Sequence, residues 1–163
     1  LPDGAKLAIA LALARAAGIG GMAGGQALDL AAEKQAPDEQ AIVTLQAMKT
    51  GALIRFACEA GAIIAGAPAE DRSRMRHFGE IIGRAFQLAD DLLDLTSDAA
   101  TLGKAAGKDA ARGKGTLVAL KGQAWAETEL DRLVGAATDL LAGYGARAET
   151  LVDTARFVAK RKN

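Results

Sequence analysis

The spacing of apolar positions predicts a chain built from helices. Apolar residues recur at intervals of three and four through most of the sequence, and no segment shows the strict alternation that is typical of a strand. Glycine, proline and short polar runs separate the segments, and no internal repeat of fixed period is present. The predicted helices cover residues 5–17, 22–33, 38–65, 70–95, 116–143 and 148–161, with a break near Gly122.

The first predicted helix is apolar on all sides. Residues 5–17 carry only Lys6 and Arg15 as charged side chains. A helix that is apolar all round lies in a core or in an interface, so we expect something to cover it. Because the sequence begins with Leu1 rather than Met and enters this helix almost at once, we expect the N-terminal part of the protein to be missing from it.

Composition and charge narrow the class of protein. The 163 residues suffice for a single domain, which we expect to span residues 1–163, and half of them are hydrophobic, with few aromatic residues. Twenty basic residues balance twenty acidic ones, so the charge predicts no nucleic-acid partner. The single Cys58 excludes an internal disulfide and indicates a reducing, cytoplasmic location. No apolar run of membrane-spanning length is free of charges, so we expect no membrane span.

An acidic motif lies in the fourth predicted helix. Residues 83–94 read G-R-A-F-Q-L-A-D-D-L-L-D, and the four-residue spacing of Asp90 and Asp94 places them on one face, with Gln87 one turn earlier and Asp91 beside them. Three like charges on an otherwise apolar helix repel one another unless cations compensate them. Mg²⁺ prefers such oxygen ligands and usually bridges carboxylates to phosphates. A solvated acidic face is the alternative, and the D-D-x-x-D pattern alone would favour it.

The segment that follows favours a metal site over a solvated acidic face. Residues 102–116 read L-G-K-A-A-G-K-D-A-A-R-G-K-G-T, within a predicted loop over residues 97–115. Its glycines allow close backbone approach, and its lysines are of the type that binds phosphate as point charges. The pattern is not a P-loop, because G-x-x-x-x-G-K-[ST] is absent and the neighbouring elements are helices. An acidic helix followed by a basic loop therefore predicts a site for a metal–diphosphate complex. The basic residues of this loop are Lys104, Lys108, Arg112 and Lys114.

Two weaker signals lie in the first half of the chain. The tripeptide K-T-G at residues 49–51 is locally unfavourable in the middle of a helix, so it is a candidate kink that frees a carbonyl or the Thr50 hydroxyl. An exposed lysine beside a capping threonine is the alternative, and the tripeptide alone favours it. Gly24 and Gly25 suggest close helix packing or approach to a ligand, whereas Asp29 is also compatible with an ordinary polar face.

Together these segments resemble the C-terminal half of a trans-isoprenyl diphosphate synthase, and the nearest resemblance is to the bacterial farnesyl or geranylgeranyl diphosphate synthases. The segments occur in the family's order with family-like separations and cover essentially the whole chain. The acidic and basic segments together are specific, whereas the other two would be weak alone. The four matching segments are residues 21–30, 49–54, 86–94 and 102–116.

The resemblance implies a fold and a reaction. The fold is all-α, with long and mostly antiparallel helices around a central cavity, usually in a homodimer, and here incomplete because the N-terminal helices are missing. The reaction condenses an allylic diphosphate with isopentenyl diphosphate, and Mg²⁺ clamps the allylic diphosphate between two aspartate-rich motifs. Such chemistry needs cations at the leaving diphosphate and a water-poor cavity around the carbocation.

The resemblance also implies the metal ligands. Asp90 matches the principal Mg²⁺ ligand of this half, and Asp91 and Asp94 match ligands that act directly or through water. Asp109 matches an anchor for metal-bound water.

Five further positions match residues that act on the substrate. Lys49 and Lys104 match residues that hold the allylic diphosphate, and Lys114 matches one that neutralises it when the loop closes. Thr50 and Gln87 match residues that orient the reacting ends and steady the cation. The catalytic set that the resemblance implies consists of Lys49, Thr50, Gln87 and Lys104.

The sequence departs from the family in one large respect. The first aspartate-rich motif, its arginine pair and the basic residues of the isopentenyl diphosphate site are absent, and no second D-D-x-x-D occurs. We therefore expect an inactive C-terminal portion of a farnesyl or geranylgeranyl diphosphate synthase, with the product length left open. A non-catalytic regulatory or structural subunit is the alternative. A terpene cyclase or squalene-synthase-like relative is a third alternative. The intact Lys104–Asp109 segment argues against it.

Overall fold

The computed structural model describes residues 1–33, 37–102 and 115–161, with the side chains of α5 described as far as residue 95. Within those residues every regular element is a helix, so the all-α prediction is confirmed. A π-helical turn, Ala47–Gly51, joins the third helix to the fourth, and 3₁₀ turns over Ala142–Ala148 join the last two. The helices are α1 (Asp3–Ala17), α2 (Met22–Ala32), α3 (Glu39–Gln46), α4 (Ala52–Ile64), α5 (Ala69–Leu102), α6 (Leu117–Lys121), α7 (Gln123–Leu141) and α8 (Glu149–Lys160).

Local sequence signals account for several helix ends. The Asp38 carboxylate accepts a hydrogen bond from the backbone N–H of Ala41 at 2.8 Å and so caps α3 where the sequence predicts a start. Thr116 caps α6 in the same way by accepting from Ala119 at 3.1 Å. Gly122 has φ 89°, a conformation that glycine adopts without strain, and it separates α6 from α7 at the predicted break.

The acidic helix is longer than the sequence suggested. We expected it to end at residue 95 and a loop to begin at residue 97, but α5 continues to Leu102. The physical reason is that residues 96–102 contain neither glycine nor proline, so nothing in them stops a helix. Residues 103–114, which hold most of the predicted basic loop, lie outside the described part of the chain.

Helix α5 is the element against which most others pack. It lies against α4, α7, α8 and the π turn. Its Phe78 is only 1% exposed, and burial of a side chain of this size contributes about 1.5–3 kcal/mol. This packing fixes one face of α5 in the core and leaves its acidic turns near the edge of the bundle. The core side chains that α5 and α7 share are Phe78, Ile82, Leu88, Leu130, Leu133 and Leu141.

The first helix is the least buried element among the described residues. Helix α1 packs against α4, but only Ala16 is buried, and Leu7 is 71% exposed. The predicted covering surface is therefore not supplied by the described part of the chain. By length and composition alone the stretch Asp3–Ala32, which comprises α1, a glycine-rich turn and α2, is long and apolar enough to cross a membrane. Because one such stretch near the N-terminus is weak evidence and α2 packs on the π turn, the absence of a membrane span stays a prediction.

Helix α2 approaches the π turn so closely that a side chain would not fit between them. A Cβ atom added at Gly25 would lie 2.6 Å from Lys49 Cα, well inside normal contact distance. The prediction that the glycines of α2 permit close packing is confirmed, and the partner is backbone.

We expect Gly25→Ala to destabilise the fold by about 1–3 kcal/mol, because the new methyl group forces two backbones apart. The free energy of unfolding from urea denaturation measures this. Gly135→Ala is the matched control, since Gly135 lies in α7 with open space around its Cα. There alanine should stabilise by up to about 1 kcal/mol through helix propensity. Equal effects at the two positions would contradict the packing argument.

Candidate active site

The π turn positions two of the predicted catalytic residues. A π turn adds a residue to the helix and often marks a functional site. In Ala47–Gly51, Lys49 Nζ lies 2.5 Å from Asp29 Oδ2, and Thr50 Oγ1 donates a hydrogen bond to Gln87 Oε1 at 3.0 Å. The predicted irregularity is therefore present as a π turn. The Thr50 hydroxyl donates across to α5, so the interpretation as a local helix cap is wrong.

A glycine contact brings these residues within reach of each other. A Cβ atom added at Gly83 would lie 2.9 Å from Gly51 Cα, so α5 and the π turn cross with almost no side chain between them. Gly83 stands one turn before Gln87 and therefore shares its face of α5. The crossing thus sets the short distance between Gln87 and Thr50.

Asp91 is the acidic residue that turns toward the protein. Its Oδ2 accepts a hydrogen bond from Gln46 Nε2 at 2.9 Å, and its Oδ1 accepts one from Gln87 Nε2 at 3.1 Å. Burial raises the pKa of Asp91 to about 6, against the lowering effect of the two amide donors, and the neighbouring charges of Asp90 and Asp94 raise it further. The carboxyl group is therefore costly to ionise in the folded chain.

These bonds form one chain from Gln46 through Asp91 and Gln87 to Thr50, and they determine which atom donates at each step. The ionised Asp91 only accepts hydrogen bonds, so the NH₂ group of Gln87 must face it. The Gln87 oxygen then faces Thr50, so the Thr50 hydroxyl must donate the hydrogen bond to that oxygen. Thr50 Oγ1 is left with lone pairs, and no proton, for any other neighbour.

Asp90 and Asp94 occupy the outer face of α5, one turn apart, and both are exposed. Asp90 Oδ1 accepts a hydrogen bond from Arg161 Nη2 at 2.8 Å, and its side chain is 53% exposed. Asp94 also makes a contact of its own. Two accessible carboxylates on one face, with Asp91 behind them, make this the most acidic turn of α5.

The exposed carboxylates suit magnesium in the open mode of binding, in which the protein supplies only part of the ligands. No group of three or more candidate ligand side chains is placed to enclose a metal in residues 1–33, 37–102 and 115–161. Mg²⁺, however, is commonly held by one or two carboxylates together with waters and substrate phosphates. Asp90 and Asp94 fit that open mode, and the ligand roles of Asp90, Asp91 and Asp94 all stay predictions.

The structure brings together Thr50, Gln87 and the acidic turn, and it pairs Lys49 with Asp29. Lys104, Asp109 and Lys114 lie outside the described residues. The catalytic and binding roles of all the predicted site residues stay predictions.

Sequence reasoning missed two residues of this site. Gln46 stands one turn before Lys49 and Thr50, and that spacing on one helix could have pointed to it. Arg161 is 71 residues from Asp90, and no local pattern joins them.

The fold and the site define a class of protein that matches a known family. The family model described as polyprenyl synthetase matches residues 8–140. The chain therefore belongs to the polyprenyl synthetase family, and the resemblance stated from the sequence is confirmed.

Individual relatives agree with this assignment. The farnesyl diphosphate synthase of Escherichia coli is 40% identical over 96% of this chain and 52% of its own length. The crystal structure of a FPP/GFPP synthase from Zymomonas mobilis has a TM-score of 0.81 at 38% identity, over 96% of this chain and 52% of its own. A geranyltransferase from Helicobacter pylori, complexed with magnesium and isoprenyl diphosphate, has a TM-score of 0.76 at 25% identity, over 97% of this chain and 52% of its own. The chain spans about half the length of these relatives.

The raised pKa of Asp91 predicts a pH-dependent cost. The folded-state pKa of about 6 lies above the ordinary 3.8, so the folded state is penalised when the carboxyl is ionised. That penalty is absent below pH 3.8 and complete above about pH 6. The size of the pKa shift limits this destabilisation of the folded state to about 3 kcal/mol. Partial access of solvent to Asp91 reduces the expected value to about 1–2 kcal/mol.

We therefore expect wild type to lose about 1–2 kcal/mol relative to Asp91→Asn between pH 4 and pH 7, measured by urea denaturation without magnesium. Asp153→Asn, on the exposed face of α8, controls for removal of a charge. A difference between wild type and Asp91→Asn that stays constant with pH would refute the buried, hard-to-ionise assignment.

Proposed function

We propose that this chain is the C-terminal portion of a magnesium-dependent prenyl diphosphate synthase. The whole protein would condense an allylic diphosphate with isopentenyl diphosphate to give farnesyl or geranylgeranyl diphosphate. The observation that carries the proposal is the pair of exposed carboxylates, Asp90 and Asp94, beside the ordered chain from Thr50 through Gln87 to Asp91. Membership of the polyprenyl synthetase family supports it, as does the magnesium and isoprenyl diphosphate complex of the Helicobacter pylori relative.

Asp90 and Asp94 would hold the metal from the outer face of α5. Bound magnesium would supply the positive charge that stabilises the departing diphosphate. Asp91 adds negative charge behind the pair, and its bonds to Gln46 and Gln87 hold that turn of α5 in place.

Lys49 would bind the allylic diphosphate. Its ammonium group is held by Asp29, and its side chain is 38% exposed, so an incoming phosphate could reach it. An ammonium group acts on phosphate as a compact point charge. We propose Lys104 and Lys114 as its partners and Asp109 as the anchor of a metal-bound water.

Thr50 and Gln87 would act on the reacting carbon atoms. The carbon–oxygen bond of the allylic diphosphate breaks, and the diphosphate leaves with the electron pair. The double bond of isopentenyl diphosphate then forms the new carbon–carbon bond, and a proton passes to the departing diphosphate. The Thr50 hydroxyl donates its hydrogen bond to Gln87. The lone pairs of the Thr50 oxygen would therefore face the allylic fragment and stabilise positive charge on it.

The exposed apolar surface of α1 and α2 supports a homodimer and also favours the second candidate, a non-catalytic subunit that pairs with a catalytic one. Surfaces of this kind commonly mark protein–protein contacts. We propose a cytoplasmic protein in either case. Measurement of the size of the chain in solution would distinguish self-association from a stable monomer. A stable monomer would count against both the homodimer and the non-catalytic subunit. The exposed side chains are Leu7, Leu11, Leu13, Ile19, Met22, Leu28 and Leu30.

In the intact gene product we expect Asp90→Ala to reduce turnover of allylic and isopentenyl diphosphate with magnesium by roughly 10²–10³-fold, the loss typical of a removed electrostatic group. Asp153→Ala, an exposed aspartate remote from the acidic turn, should retain wild-type turnover. Equal turnover in Asp90→Ala and wild type would reject the metal assignment. Cyclised product from the allylic substrate alone would instead indicate a terpene cyclase.

A further inference from the structure

The C-terminal end of α8 lies directly against the acidic face of α5. Arg161 Nη2 donates to Asp90 Oδ1 at 2.8 Å and to the backbone carbonyl oxygen of Phe86 at 3.4 Å. The guanidinium carbon lies 4.0 Å from the centroid of the Phe86 ring. One side chain therefore joins the last described residue of the chain to the aspartate that is the proposed metal ligand.

This contact is more than a surface ion pair. Phe86 and Asp90 are four residues apart on α5, so they offer a ring and a carboxylate side by side to one guanidinium group. The Arg161 side chain is only 19% exposed, whereas Arg156, which pairs with Asp153 on the same helix, is 57% exposed. Arg161 Nε is buried without a hydrogen-bond partner, which costs free energy. The ion pair and the ring must outweigh that cost.

We propose that Arg161 is a positioning residue that competes with the divalent cation for Asp90. In the cation-free chain the guanidinium group holds Asp90 and ties the end of α8 to α5. When a divalent cation binds Asp90, the ion pair is lost and the end of α8 is released. The inference rests on the proposed function, because that function makes Asp90 a metal ligand.

The competition follows from charge. A guanidinium group and a divalent cation repel each other, and both bind the same carboxylate oxygens. Each therefore weakens the binding of the other. Linkage makes the effect reciprocal: the factor by which Arg161 weakens cation binding equals the factor by which the cation weakens the Arg161 contact. Removal of the arginine must therefore strengthen cation binding and also loosen the end of α8.

The first test is Mg²⁺ affinity, measured by isothermal titration of the 163-residue chain. We expect Arg161→Gln to bind Mg²⁺ roughly 2- to 10-fold more tightly than wild type, the range that corresponds to loss of an ion pair at a partly buried site. Arg161→Lys keeps the charge but loses the planar stack on Phe86, and it should fall between the two. Arg156→Gln removes an equivalent charge from α8 away from Asp90 and should match wild type.

The second test is hydrogen exchange in the peptide that covers α8, followed by mass spectrometry. In wild type, Mg²⁺ should speed exchange in this peptide. In Arg161→Gln, exchange should already be fast and should not respond to Mg²⁺, while circular dichroism stays helical. If Arg161→Gln does not fold, Arg161→Lys with Arg156→Gln as control decides the question.

The outcomes separate the two claims. Mg²⁺ binding that is equal or weaker in Arg161→Gln overturns the competition and leaves the proposed function standing. Slower exchange of α8 on addition of Mg²⁺ overturns it as well. Absence of Mg²⁺ binding in wild type and in Arg161→Gln overturns the competition, whereas the assignment of Asp90 as a metal ligand is rejected only by equal turnover of Asp90→Ala and wild type in the intact gene product.

Discussion

The close crossing of α5 over the π turn is the constraint on which the candidate site depends. Gly51 and Gly83 meet there with no side chain between them, so the two backbones come nearer than ordinary helix packing permits. Side chains on either side of this contact, such as Thr50 and Gln87, then meet at hydrogen-bond distance. A π turn suits this purpose because its extra residue directs Lys49 toward α2 and Thr50 toward α5.

Three carboxylates within five residues acquire different properties from their surroundings. Asp91 is partly buried among amide donors and has a raised pKa, while Asp90 is exposed and paired with an arginine. Residues adjacent on a helix point in directions about 100° apart, so neighbouring acids meet different environments. A single turn of helix can thereby provide an accessible pair of carboxylates and a half-buried carboxylate that accepts hydrogen bonds from the residues around it.

The described helices enclose a packed core, and one of their surfaces is apolar and exposed. Helix α5 is covered by α4, α7 and α8, whereas α1 and α2 present leucine and isoleucine side chains to solvent. A solved relative about twice as long has a TM-score of 0.81 with this chain. Exposed leucine and isoleucine side chains on one flank of a helical bundle are the kind of surface that another helical layer or a partner protein commonly covers.

Local patterns in the amino-acid sequence were enough to predict the helices, their approximate order and the acidic and basic character of the candidate site. Periodicity, capping residues such as Asp38 and breaks such as Gly122 act over one or two turns, so local signals are sufficient for them. The end of α5 was missed because the glycines of residues 102–116 outweighed a preceding stretch without helix breakers.

Which acidic residue faces inward, and what each one contacts, became visible only once the helices were packed together. Helical spacing separated Asp91 from the Asp90–Asp94 face but said nothing of which direction was the core. Gln46 and Arg161 reach the acidic turn from positions 45 and 71 residues away. The physical reason is that these contacts depend on how helices cross and where the chain returns, and neither property is written in any local pattern.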